Sequence, residues 1–450
     1  MKILHAARSL GGTEKMDDVL TTDVDFDVIV VGAGVAGCVT AYQLATKGHS
    51  VLLVERGQTP GSKNLSGGVF YCSIMEECMP GFIDEAPIER RITRNCLSFL
   101  SESSFVNVDY GDKRLKESVT AVSVLRAKLD EWLANKCEEA GVMLMSGVKV
   151  DTLVKENDSI VGIRAGEDEL RAHVVVAADG VNSFICRDAG IRAKEPMKHL
   201  AVGVKSVIRL PRNVIEERFN LTGDEGVAYA VVGDCTNGVA GGGFLYTNLE
   251  SLSIGVVLRL DDLVGKGYSS VELHDRFLTH PAIEPFLKEG ELLEYGCHMV
   301  AEGGQDMVHD LTRAGLVVVG EAAGFALNTG FTVRGMDLAA GSGLAAARAI
   351  DAALLKGDYS KVSLDQYSAE LDHTFVGKDM RTYAKAPYFL ENPRMYGDYG
   401  KILSDVMYSV YNLDTTPRQH LLPGAMKALK KSPVKLTQII KDMYAGVKAL

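Results

Sequence analysis

Two kinds of hydrophobic run alternate along this chain. Asp27–Val31 (DVIVV) and Val51–Val54 (VLLV) are short, unbroken and rich in β-branched residues, the pattern of strands buried on both faces. Val174–Ala178 and Gly315–Val319 repeat it far downstream, the first running into Asp179-Gly180 and the second into Gly320-Glu321. The spacing predicts a helix over about Thr120–Ala140, where Leu125, Leu129, Trp132 and Leu133 share a face and Gly141 stops it. Val142–Val150, Asp151–Val154 and Ile160–Ala165 read as strands of a small β-unit, and Met336–Leu355 as a helix of small residues. From about Leu200 to Met299, alternating runs (Val202–Leu210, Gly226–Val232, Gly243–Thr247, Leu252–Leu258) and a helix near Val271–Thr279 predict an inserted antiparallel sheet. Gly241-Gly242-Gly243 reads as a bulge or tight turn.

Gly32, Gly34 and Gly37 follow the first strand at G-x-G-x-x-G spacing and open a helix that ends at Gly48. The first glycine permits the turn, the second lets a pyrophosphate approach the backbone, and the third lets helix and strand pack closely. The helix N-terminus offers free N–H groups to phosphates, and Glu55 closes the second strand where an adenosine ribose would sit. In an open parallel sheet, ligands lie beyond the carboxyl ends of the strands. Those ends carry the glycine turn, Asp179-Gly180 and Gly320-Glu321, so one long cofactor is expected. The glycine-rich loop RGQTPGSKNLSGG after Glu55 suggests backbone lying close to a flat ligand.

The chain has 450 residues, ample for two or three domains, and a net charge of −11 that would repel nucleic acid. Its longest apolar runs fall short of a membrane span, and MKILHAARSL lacks the apolar core of a secretory signal. Residues 1–24 read as a tail, with Met16 an alternative start. The eight cysteines form no C-x-x-C pair, which points to reduced cytosolic thiols and not to an iron–sulfur cluster. No nucleophile motif, metal set or second nucleotide site stands out. Beyond Ala384 the chain turns aromatic (Tyr388, Phe389, Tyr396, Tyr399, Tyr408, Tyr411) and then basic (Lys427, Lys430, Lys431, Lys435, Lys441, Lys448). Such a tail suits either an amphipathic helix on an anionic membrane or a helical cap with a solvated lysine face.

GAGVAG with Glu55, LRAKLDEWL, VVVAADGVNS and GLVVVGEAAG together resemble the FAD-binding fold of the glutathione-reductase and hydroxylase superfamily. More narrowly, GSKNLSGG, GGGFLYTN, GEAAGFALNTGFTVRGMDLAAGSG and ENPRMYGDYG resemble the electron-transfer flavoprotein:quinone oxidoreductases, in their short FixC-like form. The resemblance implies an α/β fold: a Rossmann-like FAD-binding domain (25–75, 115–190, 305–375), an inserted antiparallel β-sheet quinone domain (76–114, 191–304) and a C-terminal helical region (376–450).

It also implies site roles. Gly32, Gly34, Ala36, Gly37, Glu55 and Arg56 would hold the ADP half of FAD, Arg126 would reach it across the cleft, and Asp179 and Gly180 would line the adenine-side turn. Gly320 and Glu321 would lie by the ribityl and phosphate groups, where the superfamily usually has an aspartate. Ser62, Lys63 and Asn64 would face the flavin ring on one side, and Gly330, Phe331, Arg334, Gly335 and Met336 on the other. A helix starting near Gly335 would aim N–H groups at the charge of the reduced ring, and Arg334 would raise its potential. The implied partners are the alpha and beta subunits of an electron-transfer flavoprotein, a separate small ferredoxin-like iron–sulfur subunit and a membrane quinone, in a complex of the electron-bifurcating type. The implied location is the cytoplasmic face of the membrane. A geranylgeranyl-type isoprenoid reductase, an FAD-dependent hydroxylase and a flavin-containing docking subunit are the alternatives.

Overall fold

The computed structural model describes residues 24–62, 64, 67–413, 415, 420, 426 and 429–450; the expected tail up to residue 23, Lys63 and Lys427 lie outside them. Two sheets carry the fold. In the first, strands Leu316–Val318, Asp168–Ala177, Phe26–Val31, Val51–Glu55 and Met143–Ser146 lie parallel in that order. Val28, Ile29 and Val30 have no exposure, as the unbroken apolar run predicts for a central strand covered on both faces.

Met143–Ser146, expected in the small β-unit, instead pairs with Val51–Glu55 at the edge of this sheet. The long connection from Val51–Glu55 passes through the second sheet and returns by helix Arg126–Glu139, a crossover long enough to bring the chain back parallel. The β-unit proper is the hairpin Thr152–Glu156 and Ser159–Ala165, laid on the first half of Asp168–Ala177.

The helix expected from Thr120 begins only at Arg126, because Ala121–Val124 (AVSV) is a buried strand. Its β-branched residues are paired on both edges, with Gly68–Tyr71 and with Ile88–Leu100. Both short strands belong to the second sheet, so that sheet takes in segments expected on the FAD-binding side of the divisions at 75 and 115.

Among the described residues the second sheet has nine strands, and it is mixed. Glu291–Ala301, Leu200–Arg209, Ser251–Arg259, Gly241–Thr247 and Glu225–Gly233 pair antiparallel, but Glu225–Gly233 meets Ile88–Leu100 in parallel. The glycines at 241–243 start a strand and do not form a turn. Side chains are excluded there: a Cβ on Gly241 would lie 2.0 Å from the Val257 carbonyl oxygen, and one on Gly243 would lie 2.8 Å from the Phe277 ring.

Helix Met336–Lys356 crosses helix Val35–Ala45 so closely that a Cβ on Gly343 would come within 2.6 Å of the Ala36 carbonyl oxygen. That approach explains its run of small residues. In the C-terminal region, helix Leu436–Ala449 is pinned by Asp442, which takes a forked bond from Arg394 (2.7 and 2.8 Å) and the Tyr399 hydroxyl.

Candidate functional site

Among the described residues, both sheets and the C-terminal helices border a cavity of about 1110 Å³, larger than most small-ligand pockets. Its first end is the glycine turn. Gly32 and Gly37 are fixed by packing: a Cβ on Gly32 (φ +111°) would meet the Ala178 carbonyl oxygen at 2.4 Å, and one on Gly37 the Gly32 oxygen at 1.9 Å. Gly34 differs. Its nearest neighbour would be Arg126 Nη2 at 3.9 Å, so it opens on the cavity, and Ala36 lines the same wall. Helix Val35–Ala45 has no side-chain cap and no acid in its first turn, leaving its N–H groups free toward that space.

Glu55 stands beside the turn, its carboxylate accepting from the N–H groups of Gly57 (2.5 Å) and Ala33 (3.1 Å); Arg56 lines the wall next to it. Asp179 lines the cavity but spends its carboxylate on Ser183 Oγ (2.6 Å) and the Ile185 N–H (3.1 Å), and burial raises its pKa. Gly180 (φ +77°) meets nothing within 4 Å.

Midway along, Arg126 makes a forked pair with Asp130 (both bonds 2.8 Å), which also accepts from Asn64 Nδ2 at 2.6 Å. Burial works against the guanidinium charge, but Asp130 outweighs it and holds the pKa above the ordinary value. Glu321 accepts from the Ala301 N–H at 3.1 Å, and burial raises its pKa. Gly320 packs instead against helix Val35–Ala45, where a Cβ would lie 2.7 Å from the Ala36 methyl.

Not every expected residue reaches the cavity. Arg334 is bound to Asp337 and Asp379 (both 2.6 Å) and lies over Phe375, so no cation projects from that loop. Gly335 and Met336 do line the wall, and Gly330 and Phe331 border it, Phe331 being 66% exposed. Ser62 is exposed and donates to the Thr59 carbonyl at 2.7 Å.

Of the far end, the sequence points only to the sheet around Gly242–Asn248 as the wall of an apolar channel beside the ring; the other walls and the charged groups there were missed. Val69, Leu97, Phe99, Val232, Phe244 and Tyr246 make an apolar chamber against the second sheet. Lys205 opens into it, donating to the Gly67 carbonyl and lying 5.2 Å from the Phe244 ring centre. Burial, reinforced by Arg126, pushes its pKa down to about 7. A lone lysine inside the apolar run AVGVKSVI was the available signal. Glu302 also lines the cavity, with burial pushing its carboxyl up to about 7.

Residues 25–222 match the model for an FAD binding domain, and residues 386–450 match that for the ETF-QO/FixC family C-terminal domain. The chain is 44% identical over 430 residues to the probable electron transfer flavoprotein-quinone oxidoreductase YdiS of Escherichia coli K12, covering 95% of this chain and all of that one. It is 41% identical over 427 residues to protein FixC of the same strain, covering 94% and 99%. This chain belongs to the FixC and electron-transfer-flavoprotein–quinone oxidoreductase family. Among solved structures, it resembles a geranylgeranyl bacteriochlorophyll reductase-like protein from Thermoplasma acidophilum (TM-score 0.68, 22% identity, covering 93% of this chain and 98% of that one) and the flavin-dependent brominase Bmp2 (TM-score 0.62, 16% identity). Those likenesses are of fold. As a member of the family, the chain is an FAD-dependent oxidoreductase of electron transfer. The uncapped helix end, the open Gly34 and Gly180 and the length of the cavity fit that cofactor.

Proposed function

We propose that the chain takes electrons from the alpha and beta subunits of an electron-transfer flavoprotein, with a separate small ferredoxin-like iron–sulfur subunit in the complex, and reduces a membrane quinone. It would work as a peripheral protein on the cytoplasmic face, in a complex of the electron-bifurcating type. FAD, when bound, supplies the exchange of one or two electrons. In this reading the residues around Gly34 and Glu55 hold its ADP half, Arg126 crosses the middle, and the apolar chamber takes the quinone ring.

One observation carries the reading: the cavity runs without a break from the glycine turn, past the chamber, to Met443, Gly446 and Val447 of the C-terminal helix and Leu450 just after it. That helix carries an unburied apolar stripe, Leu436, Ile440, Met443 and Val447, at helical spacing. Lys435, Lys441 and Lys448 are exposed beside it. An amphipathic basic helix at the mouth of a cavity suits an acceptor dissolved in lipid. Helix Met336–Lys356 is long and apolar enough to span a bilayer, but 67% of its apolar 18-residue window is buried inside the protein, as in a core helix.

Reducing the purified protein with dithionite and adding a soluble quinone tests this. Fast reoxidation is expected. A flavin inert to quinone that consumes oxygen with an aromatic substrate would point to hydroxylation, and one that cannot be reduced would leave only a docking role.

A further inference from the structure

Glu302 follows strand Glu291–Ala301 and turns into the cavity where three parts of the fold meet: the second sheet, the Asn328 loop and the C-terminal region. Its carboxylate oxygen Oε2 accepts one hydrogen bond, from Asn328 Nδ2 at 3.2 Å. The charged groups that face it are otherwise engaged. Arg259, which favours its ionisation, is held by Asp261 at 2.7 Å. Asp262, which like Glu302 acts on Tyr396, takes Lys266 and the Ala240 N–H, both at 2.7 Å. The Tyr396 hydroxyl donates to the Leu390 carbonyl. Glu321, a second enclosed carboxyl, opposes the ionisation of Glu302. A carboxyl that faces a cavity, is met by one neutral amide and has no cation of its own keeps its proton, and can give it up when negative charge arrives nearby.

We infer that Glu302 is the group that protonates an oxygen of the quinone as electrons reach it. The inference rests on the reading of the acceptor given above. Conversion of a quinone to its quinol takes two electrons and two protons. The electrons come from the flavoprotein partner by way of the loaded cofactor. One proton leaves the Glu302 O–H as a quinol O–H forms, and the other comes from water in the cavity; a further water proton then restores the acid. With its carboxyl raised to about 7, Glu302 is poised to make this exchange at neutral pH.

The test compares FAD-loaded wild type, Glu302→Gln and Glu302→Asp after reduction, each mixed with a soluble quinone or with ferricenium, which takes an electron and no proton. The ratio of the quinone rate to the ferricenium rate should fall about 10²-fold in Glu302→Gln and recover in part in Glu302→Asp. Infrared difference spectra should show a protonated carboxyl band below about pH 7, with or without FAD, that is lost in Glu302→Gln. An unchanged rate ratio, or protonated-carboxyl absorption that the substitution leaves undiminished, overturns the role. Wild type that quinone does not reoxidise, while ferricenium does, overturns the acceptor itself and the role with it.

Discussion

The two ends of the cavity are built by different means. At the glycine end, backbone from a contiguous segment (residues 26–57) does the work: bare glycines, an uncapped helix terminus and a carboxylate held by two main-chain N–H groups. At the chamber end the lining comes from side chains on segments far apart in the chain, among them Leu97, Lys205, Phe244 and Glu302, together with the C-terminal helix. The first end suits a ligand whose phosphates are much the same in every protein that binds it. The second can change one side chain at a time without disturbing the nucleotide grip, so under the proposed function it is the end that would set which electron acceptor enters.

Substitutions at the two glycines should break that contrast most severely. Gly37→Val sets atoms 1.9 Å from the Gly32 carbonyl oxygen, where backbone cannot yield. It should cost more than about 3 kcal/mol and leave little soluble, yellow protein. Gly34→Val meets only an arginine tip at 3.9 Å, so the protein should fold with a near-normal melting temperature. It should lose about 10²-fold in FAD affinity, read as flavin retained after dialysis, because the new side chain occupies ligand space. Equal behaviour of the two variants would remove the distinction between packing and binding glycines.

At the chamber end, Lys205 predicts a pH dependence. Its ordinary value of 10.5 falls to about 7 in the folded chain, so between those pH values the unfolded chain binds a proton that the folded one does not. Stability of the FAD-free protein should therefore rise with pH through that window, by at most ~1.4 kcal/mol per pH unit. Below about 7, where both states are protonated, this contribution is flat. Lys205→Met should remove the slope and stabilise the protein at neutral pH, measured by urea unfolding at a series of pH values.

Smaller effects are expected at the mouth. Ile440→Glu with Val447→Glu removes two exposed apolar side chains from the C-terminal helix. It should weaken sedimentation with anionic liposomes about tenfold and leave FAD content untouched. Asp442→Asn loosens the Arg394 and Tyr399 clamp on the same helix. It should bring earlier proteolytic cleavage there, at a cost of about 1 kcal/mol.

How far each region could be read in advance follows the same division. Asp27–Glu55 was legible because its strand, turn and helix are set by neighbours in the chain, and each glycine has a local steric reason. The short strands Gly68–Tyr71 and Ala121–Val124 were not, since each is a strand only because the other, or Ile88–Leu100, pairs with it. Arg334 illustrates the same limit in the site. Its motif placed it beside the ring, whereas Asp379, forty-five residues on, draws it aside.

What the amino-acid order determined by itself was the nucleotide end, the parallel sheet behind it and the family, because these rest on short-range geometry and on motifs within single segments. Tertiary structure alone decided that a lysine in one strand and a glutamate after another line the same cavity as an arginine pair and a helix mouth. Burial is a property of the assembled chain, and it is burial that takes Lys205 and Glu302 out of their ordinary protonation ranges and brings them to neutrality.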